Sequence, residues 1–294
     1  MDSEQRFDRS FQVSRQQRPD IVRSPQLVDL AQNTLLILRD GKYISPSGRH
    51  VDFASELHDA VTQTRLISAE EGMALLEVRP NLQENFLIPK VTHETTLQAA
   101  QRLVTEEMQT DLLILSFASA NRPGGGFLNG ATAQEESLAG SSGLYPALIT
   151  QPGFFKRKSG LNSSQGIYIP DLPFIRDSEG NLLENPYLAS VVSMAAPNRG
   201  SVPSRSKRKI DPTIRNRAGI ILALAEKYNH RSLLLGAWGC GAFRNDPVIV
   251  ADAFGSWLEG PRFQGSFDQV TFAIHDTQAD QKTLQTFERR YGHQ

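Results

Sequence analysis

Short apolar runs alternate with longer amphipathic segments from about residue 84 to the end of the chain. The runs Leu112–Phe117 and 233–235 are almost entirely apolar, as is typical of buried strands, whereas residues 97–108 and Lys282–Tyr291 carry apolar positions at helical spacing. Further strands are predicted at 86–88, 167–169, 187–192 and 270–274, and further helices at 138–148, from Asp211 onward and at 248–258. This alternation predicts a three-layer α/β/α sandwich, in which loops at the carboxyl ends of the strands converge on a ligand site.

The first third of the chain has a different pattern. Residues 25–38 and 53–63 have helical periodicity, and the run from Ser68 to Glu71 has the capping pattern that opens a third helix. The residues before about 20 are polar and lack apolar anchors, which is typical of a mobile tail. We therefore expect a flexible tail over 1–22, a mainly helical extension over 23–83 and an α/β domain over 84–294.

Two Asp-Pro pairs mark helix starts. In each pair the Asp side chain can cap the helix and the Pro can take the first helical position, where no N–H is needed. The pairs are Asp211 with Pro212 and Asp246 with Pro247. We expect each aspartate to be an N-cap.

Composition and charge narrow the function classes. Lys and Arg number 31 against 32 Asp and Glu, so the formal charge is -1 and any binding of phosphates must be local. Basic residues cluster at 156–158 and again between Arg199 and Arg217, where they form either a solvated loop or a surface that helps to hold a phosphate-rich polymer. Direct readout of nucleic-acid bases is not expected.

Cysteine and histidine usage disfavours a metal site. Cys240 is the single cysteine, which excludes an intramolecular disulfide and a Cys-based zinc cage, and the six histidines show no ligand-like pairing. No apolar stretch is long enough to span a bilayer, and the first residues lack a signal-peptide core. We expect a soluble, intracellular and cytoplasmic protein with neither metal nor cofactor.

Two glycine-rich turns follow predicted strands. Gly124, Gly125 and Gly126 come after 112–117, and the run Gly239, Cys240, Gly241, Ala242 and Phe243 comes after 233–235. Free N–H groups in such turns stabilise an anionic group without a counter-charge that must itself be buried. Glycine turns also commonly just change the chain direction, but two of them at the ends of core strands favour a cradle for a diphosphate.

Two adjacent carboxylates, Glu135 and Glu136, lie just after the first glycine turn. A carboxyl group can act as general acid when burial or a neighbouring carboxylate raises its pKa. Adjacent residues near a helix start project about 100° apart, so a division of labour is more plausible than an opposed pair. The alternative is that both acids simply favour a helix N-terminus.

The spacing of the glycines from the carboxylates carries a resemblance to a known family. Gly124–Gly126 are followed seven residues later by Gln134, Glu135 and Glu136, and this pattern resembles the poly(ADP-ribose) glycohydrolase family. The segments 117–120, 127–128, 144–145 and 236–247 are similar to its microbial-type branch, and the resemblance covers about residues 23–291. It implies a macrodomain fold, so that 84–294 would be a macrodomain-like catalytic domain.

The resemblance also implies roles for the site residues. Glu136 would be the general acid/base that protonates the 2′-oxygen of the departing ribose and then activates water, and Glu135 would hold ribose hydroxyls. Phe243 would pack near the reacting ribose, and Gln134 would help to place the glutamates. Asn129 would position or cap the loop, and Asn198 would contact ribose or diphosphate or form a turn. Cys240 is not expected to be a nucleophile.

The implied activity is hydrolysis of ribose–ribose O-glycosidic bonds in poly(ADP-ribose), with ADP-ribose as the product and ADP-ribosylated proteins as partners. One alternative is a reader that binds ADP-ribose without turnover, although a reader does not need an acid in this loop. The other is a hydrolase of mono-ADP-ribosyl groups, which usually relies on other acids or on none.

Overall fold

The computed structural model describes residues 24–78, 87–156 and 160–292. The helices are α1 (Pro25–Asp40), α2 (Ala54–Thr62), α3 (Ala69–Leu76), α4 (Thr96–Thr105), α5 (Gln134–Ser141), α6 (Leu144–Ile149), α7 (Ile210–Lys227), α8 (Pro247–Leu258) and α9 (Lys282–Tyr291). The strands are β1 (Lys42–Ile44), β2 (His50–Asp52), β3 (Arg65–Ile67), β4 (Lys90–Thr92), β5 (Leu112–Phe117), β6 (Gly166–Arg176), β7 (Leu182–Met194), β8 (Ser232–Gly236) and β9 (Gln269–Ala273). Short 3-10 helices cover Phe127–Asn129 and Ser204–Lys209.

Among the described residues, seven strands form one sheet in the order β3-β6-β7-β5-β8-β9-β4. All neighbouring pairs from β7 to β4 are parallel, whereas β6 pairs antiparallel with both β7 and β3. Alternate residues of β5 enter two different hydrophobic clusters, so the two faces of the sheet are each covered by helices. The predicted three-layer α/β/α sandwich is confirmed, and the loops after β7, β5, β8 and β9 share one edge of the sheet.

Several predicted elements coincide with the observed ones. The strand Leu112–Phe117 and the helix Lys282–Tyr291 have the predicted bounds. The side chain of Ser68 accepts a hydrogen bond from the Glu71 amide (3.0 Å), and that of Asp246 accepts one from the Val248 amide (2.9 Å). These caps fix the starts of α3 and α8.

Two predicted elements are wrong. Leu87 and Ile88 are not in a strand, and the strand of this region is β4, a polar edge strand that pairs with β9; Phe86 lies outside the described residues. The predicted helix at 138–148 is two helices, because Ser142 is extended (φ −148°, ψ 177°) and forms a β-bridge with Phe174.

The expected N-cap at Asp211 is also wrong. Helix α7 begins two residues earlier than expected, at Ile210, and the capping position is taken by Lys209, whose side chain makes no capping bond. The reason is the 3-10 helix Ser204–Lys209, which runs directly into α7 and leaves no extended residue for an aspartate cap.

The predicted extension and the α/β domain share one sheet. Strand β3 forms an edge of the seven-stranded sheet, and α3 packs on α7, where a Cβ on Gly72 would lie 2.8 Å from the Ile220 side chain. The division near residue 84 stays a prediction, because residues 79–86 and the predicted tail 1–22 lie outside the described residues. No helix of the described residues is both long and apolar enough to cross a bilayer.

Candidate active site

A large cleft opens along the carboxyl edge of the sheet. Its volume is about 1630 Å³, and the loops that follow β5, β8 and β9 all line it. Both predicted glycine turns contribute, the first through Gly125 and Gly126 and the second through Gly239 to Ala242. The two backbone segments that the sequence predicted as cradles therefore face one cavity.

The first turn is shaped around the two carboxylates. Gly125 has φ +59°, and a Cβ there would overlap Oε1 of Glu136 and lie 3.2 Å from Oε2 of Glu135. The Gly126 amide donates a hydrogen bond to Oε1 of Glu136 (2.9 Å). Gly124 does not line the cleft, because it packs against the side chains of the following elements. Only glycine at 125 allows both carboxylates to approach the loop.

Gln134 attaches the start of α5 to the end of β5. Its Oε1 accepts a hydrogen bond from the Phe117 amide (2.8 Å), and its Nε2 donates to the Leu115 carbonyl (2.8 Å). Pairing of β5 with β8 ends at Ile114, and the Gln134 side chain satisfies the backbone groups of β5 beyond that point. This contact fixes the helix start that carries both glutamates.

Glu135 is almost fully buried at the wall of the cleft. Its side chain is 3% exposed, and Oε2 accepts a hydrogen bond from the Ser119 amide (2.6 Å). Burial raises the pKa of Glu135 well above its usual range, and the charge of Glu136 adds to the rise, while the Ser119 amide opposes it. The site therefore favours the neutral form of this carboxyl group.

The pKa of Glu135 predicts how stability depends on pH. Because the pKa is higher in the folded than in the unfolded chain, ionisation destabilises the fold as pH rises from the unfolded towards the folded pKa. Glu135→Gln should therefore raise Tm by a few degrees at pH 8. The gain should shrink towards pH 4, where the Glu135 carboxyl group is mostly protonated in both the folded and the unfolded wild-type chain. A Tm difference that stays constant across this range would contradict the expectation.

Glu136 occupies a different position from its neighbour. It is half-buried and lines the cleft, with Oε1 held by the Gly126 amide. Both glutamates line the cleft, but Glu135 is almost fully buried whereas Glu136 is half-buried. The two carboxyl groups therefore differ in exposure and in hydrogen-bond partner, as expected of adjacent helical residues that diverge by about 100°.

The second turn is held by Asn245. Gly239 has φ +75°, and a Cβ there would lie 2.6 Å from Nδ2 of Asn245. That nitrogen donates to the Pro197 carbonyl (2.8 Å), and the Asn245 amide donates to the Gly239 carbonyl (3.0 Å). Gly241 and Ala242 are exposed at the tip, and their amides have no acceptor in the described part of the chain. These amides are available to a ligand.

The other candidate residues fall into two cavities. Asn129 lines the cleft, whereas Asn198 lines an adjoining cavity of about 320 Å³; Phe243 lines both. Asn198 forms a turn in which its carbonyl accepts hydrogen bonds from the Ser201 and Val202 amides. Burial raises the pKa of the Cys240 thiol to about 12, so a thiolate nucleophile is disfavoured. Residues 24–78, 87–156 and 160–292 contain no group of side chains that could hold a metal ion.

Comparison with known proteins identifies the family. The family model for the catalytic domain of microbial-type poly(ADP-ribose) glycohydrolases (PARGs) matches residues 31–177. A solved PARG from Thermomonospora curvata is 42% identical over 91% of this chain and 100% of its own, with a TM-score of 0.87. The chain belongs to the microbial-type poly(ADP-ribose) glycohydrolase family.

Further solved PARG structures are also similar to this chain. The Thermomonospora curvata PARG bound to the inhibitor ADP-HPD is 42% identical over 91% of this chain and 100% of its own, with a TM-score of 0.84. The Deinococcus radiodurans PARG in complex with ADP-ribose is 40% identical over 80% of this chain and 96% of its own, with a TM-score of 0.73. A search of curated protein sequences found no match. The fold is thus macrodomain-like, as the resemblance implied.

Sequence reasoning missed part of this PARG site. At the far end of the cleft, His275, Thr277 and Gln278 follow β9, and Thr96 begins α4. Asp276 anchors this loop, because its Oδ2 accepts hydrogen bonds from the Thr283 amide (2.9 Å) and the Leu284 amide (3.3 Å). The available signal was the polar run directly after the predicted strand 270–274, at the same sheet edge as both glycine turns.

Proposed function

We propose that this chain is a poly(ADP-ribose) glycohydrolase that cleaves ribose–ribose O-glycosidic bonds and releases ADP-ribose, with Glu136 as general acid/base. One observation carries the proposal: Glu136 lines the cleft beside the first glycine turn, and the second glycine turn, whose Gly241 and Ala242 amides have no acceptor among the described residues, lines the same cavity. Family membership and the similar PARG structures with ADP-ribose and with ADP-HPD support it. Water is the second substrate.

Each part of the site has a task in the reaction. The exposed amides of Gly241 and Ala242 bind the diphosphate of the terminal unit, without a buried counter-charge. Glu136 transfers its proton to the 2′-oxygen of the departing ribose as the glycosidic bond breaks through an oxocarbenium-like state. The resulting carboxylate then takes a proton from the attacking water. Glu135, whose neutral form burial favours, holds ribose hydroxyls at the wall of the cleft.

The direct test is product formation. The purified protein is incubated with poly(ADP-ribose), and free ADP-ribose is measured over time, with a mono-ADP-ribosylated protein as a second substrate. We expect ADP-ribose from the polymer and little release from the mono-modified protein. Binding of the polymer without any release would instead assign a reader, and release from the mono-modified protein alone would assign a mono-ADP-ribosyl hydrolase.

The diphosphate cradle has its own prediction. A Cβ at Gly241 meets no protein atom within 4 Å, so Gly241→Ala should leave Tm unchanged. The added methyl group projects at the tip of the turn, where the diphosphate would approach the amides, and affinity for ADP-ribose should fall about tenfold, which corresponds to about 1.4 kcal/mol. Titration calorimetry with ADP-ribose measures the effect.

Gly140→Ala is the matched control, because a Cβ there also has open space but residue 140 does not line the cleft. Equal affinity of Gly241→Ala and the wild type would remove this turn from the binding site.

We also infer a reducing, cytoplasmic compartment in which ADP-ribosylated proteins are the macromolecular partners. With Cys240 as its single cysteine, the chain needs no intramolecular disulfide and hence no oxidising compartment. The proposed organisation keeps a mainly helical extension over 23–83 before a catalytic domain over 84–294.

A further inference from the structure

Exposed cations are concentrated after β7, outside the cleft. The 3-10 helix Ser204–Lys209, here called the basic segment, has no buried residue. Its cations Arg205, Lys207, Arg208 and Lys209 are all exposed. Such a concentration is notable in a chain whose formal net charge is -1, because it makes a local positive field without a global one.

The charge of the basic segment is not neutralised by the protein. The nearest acid along the chain, Asp211, pairs with Arg199 instead (2.9 Å). Within 24–78, 87–156 and 160–292, no carboxylate forms a salt bridge with any of the four cations of the segment. Four unpaired cations within six residues form a surface that suits a flexible polyanion.

The basic segment begins beside the smaller cavity that adjoins the active-site cleft. The smaller cavity of about 320 Å³ shares Ser119, Asn121 and Phe243 with the cleft. Its outer wall includes Ser201 and Pro203, and the basic segment starts at the next residue. Because β7 and β8 flank β5 on opposite sides, the cavity extends the cleft away from the β9 end and towards the basic segment.

Buried residues flank the basic segment on both sides. Arg217 of α7 is 2% exposed and donates hydrogen bonds to the Ala195 carbonyl (2.8 Å) and the Leu161 carbonyl (2.7 Å). Val202 before the segment and Ile210 after it are buried in the core. The backbone that carries the cations is therefore anchored at both ends of the segment, which limits the ordering cost of binding an extended ligand.

We propose that the basic segment is a second binding site for poly(ADP-ribose), which holds the diphosphates of units that lie outside the cleft. The inference rests on the proposed function, because it assigns a place to the rest of the same polymer. Every repeating unit carries a diphosphate, so a chain whose end occupies the cleft presents further anions along the adjoining cavity. Binding at two linked places raises the affinity for long polymers above that for ADP-ribose alone.

The test compares two triple variants in a Glu136→Gln background, which prevents turnover during binding. The first replaces Arg205, Lys207 and Arg208 with Ala. The control replaces Lys42, Lys90 and Arg289 with Ala. These three residues are also exposed and line neither cavity, and their replacement removes the same charge. Affinities are measured for ADP-ribose and for fractionated polymer at several salt concentrations.

Replacement of the three cations of the basic segment should weaken binding of long polymer about tenfold and leave ADP-ribose affinity unchanged. The slope of log K against log salt should fall by about 2, since each neutralised phosphate of a single strand contributes about 0.7. The control variant should change neither quantity. Unaltered polymer affinity in the first variant would overturn the proposal.

A competition experiment distinguishes a site for poly(ADP-ribose) from a site for nucleic acid. Single-stranded DNA with the same number of phosphates should bind the parent protein more weakly than the polymer does. Equal binding of DNA, lost in the same variant, would make the surface a nucleic-acid site and overturn the assignment. Release of ADP-ribose by the protein with Glu136 intact tests the proposed function separately, so its failure is distinguishable from failure of this second site.

Discussion

Replacing the acid in the cleft should abolish turnover and spare binding. Glu136→Gln keeps the shape of the side chain and its acceptor for the Gly126 amide, but it cannot transfer a proton. General acid–base catalysis contributes roughly 10²–10⁴-fold to rate, so the rate of ADP-ribose release should fall by about that factor. ADP-ribose affinity should stay within a small factor of the wild type, because the Gly241–Ala242 turn that binds the diphosphate is untouched. Kinetics with polymer and calorimetry with ADP-ribose measure the two effects.

Glu135→Gln is the matched comparison, since it makes the same chemical change one residue away. It should lose less turnover than Glu136→Gln, because a neutral amide still offers hydrogen bonds to ribose hydroxyls. If Glu136→Gln degraded polymer at the wild-type rate, or if the order of the two variants were reversed, the acid would have to be assigned elsewhere.

The second large effect is expected at Gly125. An alanine there must adopt a left-handed conformation, which costs about 1–2 kcal/mol, and its Cβ overlaps Oε1 of Glu136. Relief of the overlap moves the carboxylate, and a displacement of about 1 Å can cost about 10²-fold in rate. We expect Gly125→Ala to lose kcat by about that factor and to lower Tm by a few degrees.

Gly140→Ala again provides the control, because this glycine lies in the same helix as Glu136 and a Cβ there meets nothing within 4 Å. Helical Gly→Ala substitutions stabilise by about 0.5–1 kcal/mol, so this variant should be at least as stable as the wild type and fully active. Near-normal turnover of Gly125→Ala would show that the loop does not fix the acid.

Local physics makes much of the fold readable from the sequence. Strand β5 is covered on both faces, so it requires an almost continuous apolar run, and its bounds follow from that run alone. Asp246 and Pro247 encode the start of α8 by a side-chain cap and a missing donor, which are both properties of adjacent residues. The candidate site is predicted in the same way, because the first glycine turn and the two carboxylates lie within one short stretch of chain.

The features that the sequence did not predict depend on distant partners. Ser142 breaks the predicted helix because it bridges to Phe174, which is remote in the chain. Strands β3 and β4 are short edge strands with polar positions, so they lack the apolar run of a central strand. The role of Asn245 in holding the Gly239 turn depends on the Pro197 carbonyl, which only the tertiary fold brings near. The 3-10 helix that ends at Lys209 continues directly into α7, and the Asp-Pro pair gives no indication of this continuation.

A crystal structure of Glu136→Gln with ADP-ribose tests most directly whether the two turns and the acid form one site. The account predicts that the diphosphate lies between Gly126 and the Gly241–Ala242 tip, with the terminal ribose within reach of the residue 136 side chain. A diphosphate bound elsewhere on the surface, or a ribose turned away from residue 136, would contradict it.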